Sequence, residues 1–116
     1  CLKKENFNCT DGLQKRDFLY IDDLINLIFK IFSNKKSKGK IFNAGSGRPI
    51  KIKNLIKKIK KISKGGYPQF GKIKMRKDEI LNLYPSIQKL KKELNWKPKV
   101  NIKTGLKKTI SFYAKK

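Results

Sequence analysis

The sequence predicts an α/β fold of few short strands with about four helices. Three observations carry that prediction. Short apolar and aromatic runs near the start are split by Asp11-Gly12, a turn signal because Gly tolerates the positive backbone angle of a tight hairpin. Later stretches repeat apolar residues at the three- and four-residue spacing of a helix. The chain has no internal repeat and no linker-like segment, so residues 1–116 read as a single unit.

Residues 7–10 read as a first strand and residues 13–21 as a second, with Phe18 and Tyr20 on one face and Leu19 and Ile21 on the other. Asp22 or Asp23 is the expected N-cap of a helix over about 23–33, since a short carboxylate accepts backbone N–H bonds there. Leu24, Leu27, Ile28 and Ile31 form its apolar stripe, and Phe29 and Phe32 widen it, so more than one side of this helix is expected to be buried. After a Lys-rich loop, residues 40–44 read as a short strand closed by Gly45-Ser46-Gly47. A helix over about 51–63 places Ile52, Leu55, Ile56, Ile59 and Ile62 on one face and lysines off it. Gly65-Gly66 should end this helix, and Pro68 prevents its resumption. Residues 70–83 read as irregular. A helix over about 86–94 starts on Ser86 as N-cap, and a last helix over about 103–114 turns Leu106, Ile110 and Tyr113 inward. Three strands are few for a free-standing sheet. The helix after Asp23 and the strand at Ile41 are more apolar than this chain alone explains.

Composition sets bounds on function. The formal charge is +23. That suggests a polyanionic partner, and a small, highly basic nucleic-acid-binding module is the alternative function it supports. Yet Lys outnumbers Arg by 28 to 3, whereas phosphate and base readers lean on the planar fork of Arg. Lys, Ile and Asn, all favoured by A/T-rich codons, supply 52 of the 116 residues. Surface drift is therefore the preferred reading, and nucleic acid is not the expected partner. The Lys-flanked stripe at 51–64 also allows an interfacial membrane helix, but a core face explains it better. No stretch approaches the roughly 18–20 apolar residues of a membrane span. Cys1 and Cys9 make no disulfide framework, and without His there is no zinc set, so no metal is expected and a reducing cytoplasm is the default location. The chain opens on Cys1 rather than methionine, as a fragment or trimmed chain would.

No catalytic constellation appears. There is no His for a Ser-His or Cys-His pair and no G-x-x-x-x-G-K loop. Gly45-Ser46-Gly47 is a bare G-x-G and reads as a structural turn. Among so many lysines, Arg16 and Arg76 stand out. Each suits bidentate contact with a diphosphate or a buried carboxylate, and a structural ion pair of Arg16 with Asp17 or Asp22 is an equal alternative.

Five segments, in order, resemble one family. QKRDFLYIDD at 14–23 is similar to Q-x-R-D-F-x-Y-V-D-D of the NAD-dependent epimerase/dehydratases, the extended short-chain dehydrogenase/reductases. IFNAGSG at 41–47 resembles that family's strand and glycine turn. Arg76 with Asp78 and Glu79 resembles its R-x-G-(E/D) loop, LNWKP at 94–98 its L-G-W-x-P, and GLKKTISFY at 105–113 its closing helix. The resemblance implies the C-terminal portion of a Rossmann-type enzyme, acting in the substrate-binding region of a nucleotide-sugar epimerase, dehydratase or reductase. It implies that Arg16 and Arg76 clamp the substrate's diphosphate and that Asp78 or Glu79 accepts from ribose hydroxyls. Phe70-Gly71 ahead of Arg76 looks most like the branch that makes or reduces 4-keto-6-deoxy sugars. Ser86 departs from the family's usual Asp, a change between two capping residues.

The larger departure is what this chain does not contain: the family's G-x-x-G-x-x-G dinucleotide loop and its Tyr-x-x-x-Lys dyad. Tyr20 and Tyr113 have no Lys four positions on, so no catalytic residue is assigned. NAD or NADP is expected in the parent protein and on no residue of this chain alone. The expected partners are a nucleotide-sugar and the N-terminal cofactor domain of the same polypeptide, against which the helix after Asp23 and the strand at Ile41 would dock. Alone, the chain is expected to be inactive.

Overall fold

Leu24, Leu27 and Ile31 share one helical face and build α1, Ile21–Phe32, in a computed structural model that describes residues 1–115. The remaining elements are β1 Asn6–Asn8, β2 Lys15–Arg16, a 3-10 turn Lys35–Ser37, β3 Ile50–Lys51, α2 Ile52–Ser63, β4 Tyr67–Gln69, α3 Gln88–Leu94 and α4 Ile102–Ala114. Four helices and few short strands match the predicted α/β class.

The core forms where α1 and α3 meet. Leu27, Ile87, Leu90, Leu94 and Trp96 pack together, with Leu19, Ile31 and Phe42 against them. The indole N–H of Trp96 donates to Asn26 Oδ1 at 3.1 Å, so the ring is buried without an orphaned donor. A second layer joins α2 to α4. Leu55 is buried there, and Ile56, Ile59, Leu106 and Ile110 line an apolar groove between the two helices and the N-terminal segment. That packing engages the apolar stripe of α2 against α4, as a core face would. Among the described residues, no helix is long and apolar enough to cross a membrane.

The strands depart from expectation in three places. The predicted hairpin does not form. Thr10 Oγ1 accepts from Gly12 N and Asp11 Oδ1 from Leu13 N, which turns the chain away from β1. Lys53 N then donates to Gly12 O and Ile52 N to Gln14 O, so the predicted strand at 13–21 shrinks to β2, antiparallel to β3. β1 pairs instead with β4, in parallel, Phe7 opposite Pro68. β4 lies where only a helix stop was expected. Residues 40–44 join no ladder among the described residues, and Ile41 is 84% exposed.

Helix ends also differ. Tyr20, not Asp22 or Asp23, is the N-cap of α1, and it provides no side-chain bond. Asp23 enters the first turn and is 5% exposed, because its carboxylate is spent elsewhere: it accepts from Lys99 N at 3.0 Å and Val100 N at 2.9 Å. It thereby ties α1 to the segment leading into α4. α3 begins at Gln88 behind Ile87, and the Ser86 hydroxyl reaches Gln88 N only at 3.5 Å, so Ser86 is not its N-cap. Lys64, rather than Gly65, takes the left-handed conformation that ends α2. Asn101 caps α4 by accepting from Thr104 N. Leu106 and Ile110 are half-buried, but Tyr113 is 56% exposed.

Candidate functional site

Strand β2 and the segment 76–83 form one unit. Lys15 N donates to Leu81 O at 2.6 Å and Leu83 N to Lys15 O at 3.4 Å, a parallel bridge between Lys15 and Asn82. These bonds lay the irregular segment along β2 and bring its acidic turn to Arg16. The Arg16 guanidinium donates through Nη1 to Lys15 O at 2.7 Å and to Ile80 O at 2.9 Å, and through Nη2 to Glu79 Oε1 in a tight ion pair. Glu79 Oε2 lies 3.5 Å from Arg76 Nη2. One carboxylate thus serves both arginines, one oxygen each. The Glu79 side chain is 13% exposed, whereas that of Arg76 is 81% exposed.

The structure therefore brings together three of the four residues singled out by sequence: Arg16, Arg76 and Glu79. Asp78 sits exposed on the same turn, outside the cluster. The ion-pair alternative for Arg16 named the wrong carboxylates. Asp17 accepts instead from Ser46 N at 2.7 Å and Gly47 N at 2.8 Å, since successive side chains of an extended strand point to opposite sides. Asp22 meets Lys108 at the surface. Nothing local in the sequence could pair residue 16 with residue 79; the signal was the family spacing of Arg76 and the acidic residue after it.

The glycine turn at 45–47 is structural. A Cβ on Gly45 would lie 2.5 Å from Pro85 Cγ, and Gly47 has φ +69° with Ile87 Cδ1 2.7 Å from where its Cβ would stand. The turn does not fit a dinucleotide pyrophosphate, because Asp17 already takes the N–H groups of Ser46 and Gly47. Tyr20 lies against Gly105 with Lys108 Nζ 5.2 Å from its ring centroid, a packing role. No group of three or more metal-ligating side chains occurs among the described residues. Two titrations are displaced by their surroundings. The hydrogen bond from Lys40 holds the Glu93 carboxyl below its ordinary value. Burial pushes the Cys9 thiol up.

Known proteins share this fold. The family model described as GDP-mannose 4,6 dehydratase matches residues 1–109. A CDP-abequose synthase of Salmonella muenchen is 33% identical over 92% of this chain and 37% of its own length. A UDP-glucuronate 4-epimerase of Thermodesulfobacterium geofontis is 36% identical over 88% of this chain and 31% of its own. Among solved structures, the UDP-glucose 4-epimerase of Thermotoga maritima, determined with UDP-glucose, superposes with a TM-score of 0.87 at 28% identity, covering 98% of this chain and 36% of that one. Pal from Bacillus thuringiensis gives 0.84 at 31% identity, with the same coverage. The chain thus spans about a third of the length of the curated relatives it matches.

Proposed function

The chain belongs to the NAD-dependent epimerase/dehydratase family, as the C-terminal part of its Rossmann-type α/β fold, and from that premise we propose that it is the nucleotide-sugar-binding portion of an NAD(P)-dependent epimerase, dehydratase or reductase. The relatives carry names of enzymes acting on CDP-, UDP- and GDP-linked sugars. The observation that carries the reading is the meeting of Arg16 and Arg76 on the two oxygens of Glu79.

Arg76 presents an almost fully solvated fork. Arg16 is the anchored partner. Of its five N–H donors, three are engaged, two from Nη1 and one from Nη2, which leaves the second Nη2 hydrogen and the Nε hydrogen for an anion. Two guanidinium groups aimed at one small acceptor suit a diphosphate, whose oxygens take charge-assisted bidentate bonds about twice as strong as neutral ones. Glu79, and Asp78 beside it, accept from the ribose hydroxyls.

NAD or NADP in the whole protein supplies hydride transfer, and none of that chemistry falls to this chain's residues. Their work is to hold the nucleotide end so that the sugar carbon reaches the cofactor. In this reading the rest of the polypeptide is the cofactor domain. Residues 40–44 add to its sheet, and the outer face of α1 packs on it. The unladdered backbone of residues 40–44 and the exposed Phe29, Phe32 and Ile41 support that placement.

Calorimetric titration of the 116-residue chain with UDP and CDP tests the site. Binding is expected for at least one of them. Arg76→Ala should weaken it on the order of ten- to hundredfold, the loss of a charge-assisted hydrogen bond of about 1.5–3 kcal/mol, and Arg76→Lys should restore part of it. An unchanged affinity in Arg76→Ala would exclude the clamp. Any NAD-dependent turnover by these residues alone would overturn the division of labour.

A further inference from the structure

We infer that the groove between α2 and α4 seats a helix of the polypeptide that leads into Cys1, so that one further helix of this unit stands between the cofactor domain and Cys1. The inference rests on the reading of this chain as the C-terminal part of a longer protein, and it is independent of the arginine clamp. Ile56 and Ile59 of α2, Leu106 and Ile110 of α4, and Leu2 and Phe7 of the N-terminal segment line a groove of about 530 Å³. Its walls do not close over one another. Leu2 is 45% exposed, and Tyr113, at the end of the α4 stripe, is 56% exposed. A continuous apolar surface drawn from three elements and left open to water marks a docking site.

Cys1 identifies the occupant, because Cys1 itself lines the groove. It is held there by close packing. A Cβ on Gly66, at φ +83°, would stand 2.5 Å from Cys1 Cα, and Lys4 N donates to Cys1 O at 3.1 Å. A polypeptide that enters at Cys1 therefore reaches this unit at the groove. The relatives supply the length: the chain covers 37% of the CDP-abequose synthase and 36% of the UDP-glucose 4-epimerase structure. The groove also limits the form of its occupant. Its lining is almost wholly apolar side chain, which offers little to backbone N–H and C=O groups. A helix satisfies those groups internally and presents apolar residues at three- and four-residue spacing. A second copy of the chain is a poor occupant. Each copy carries +23, and Lys57, Lys60 and Lys61 stand exposed on the same helix as the groove, so two copies would approach against repulsion.

Thiol labelling tests this. Thr109→Cys places a thiol on the groove wall, and Lys107→Cys places one on the same helix in a separate recess beside Lys58 and Lys61. Both positions are exposed in the 116-residue chain, so both thiols should react with iodoacetamide at comparable rates there, followed by peptide mass to separate them from Cys1 and Cys9. Two further proteins are compared: the intact polypeptide, and the chain extended upstream by about 25 residues, one average helix and its connections. In both, the thiol at position 109 should react more slowly on the order of tenfold or more, as a site that opens only by local unfolding does. The thiol at position 107 should keep its rate in the extended chain. Equal rates at position 109 in all three proteins would overturn the inference. Protection in the intact polypeptide alone would give the groove to another part of the protein, and protection that vanishes on dilution would give it to a second copy; either result overturns the inference. Titration with UDP and CDP remains the separate test of the clamp, since no groove residue belongs to the arginine cluster.

Discussion

Arg16 and Glu79 are 63 positions apart and share the tightest ion pair described in the chain. The arginines were visible in the sequence because they are rare in a Lys-dominated composition. Their shared partner came only from the spacing of the acidic residue behind Arg76, since tertiary pairing leaves no local periodicity. A similar economy runs through other carboxylates: Asp17 and Asp23 each hold two backbone N–H groups of a distant loop. At Glu93, Lys40 Nζ donates at 2.6 Å and keeps the carboxyl below its ordinary 4.5. A folded value below the unfolded one means the pair stabilises the chain above the unfolded value, and the contribution fades as falling pH protonates Glu93. The group is solvent-facing, so the effect is small and salt-screened. Thermal unfolding of Glu93→Gln against wild type should show a small deficit at neutral pH that closes below pH 4.5. A deficit that persists in acid would mean that the substitution acts through packing.

Helices were more legible than strands, for a physical reason. Each of the four helices carries its own periodic signal, and their predicted bounds lay within two residues of those found. Strands depend on partners. The 13–21 run was read as a hairpin arm because Asp11-Gly12 is a turn signal, yet the 50–53 segment supplies its ladder from across the chain. The caps were less legible, since Asp and Ser serve tertiary bonds as readily as helix ends. Lys64 is the clearest local conflict. A lysine at φ +54° ends α2 immediately before two glycines. Left-handed backbone costs a side-chain-bearing residue roughly 1–2 kcal/mol, and Gly is the usual occupant of that conformation at a helix end. Lys64→Gly should therefore raise stability by about 1 kcal/mol, read as a higher urea midpoint by Trp96 fluorescence. A lower midpoint would mean that the lysine side chain contributes more than its backbone costs.

The whole molecule measures 50 × 38 × 17 Å with a radius of gyration of 16.8 Å. A compact domain of this length would have about 13 Å. The excess reflects a slab with a thin core and large apolar side chains on one helix: Phe29 is 70% exposed and Phe32 85%. The sequence carried this information as a stripe on α1 wider than one face needs, and the expectation that more than one side would be buried is met within this chain only around Leu27. Two phenylalanines one turn apart, beside the unladdered residues 40–44, form a surface that water does not favour. In the proposed reading, the cofactor domain of the same polypeptide covers it. Phe29→Glu with Phe32→Glu should leave the isolated chain folded, with Trp96 fluorescence and nucleotide affinity unchanged, because neither side chain belongs to the core or the arginine cluster. In the intact enzyme the same pair should sharply reduce NAD-dependent turnover and lower the thermal midpoint, since two charges would be buried against an apolar partner. Full activity of the doubly substituted enzyme would show that this face looks into solvent and that the domains meet elsewhere.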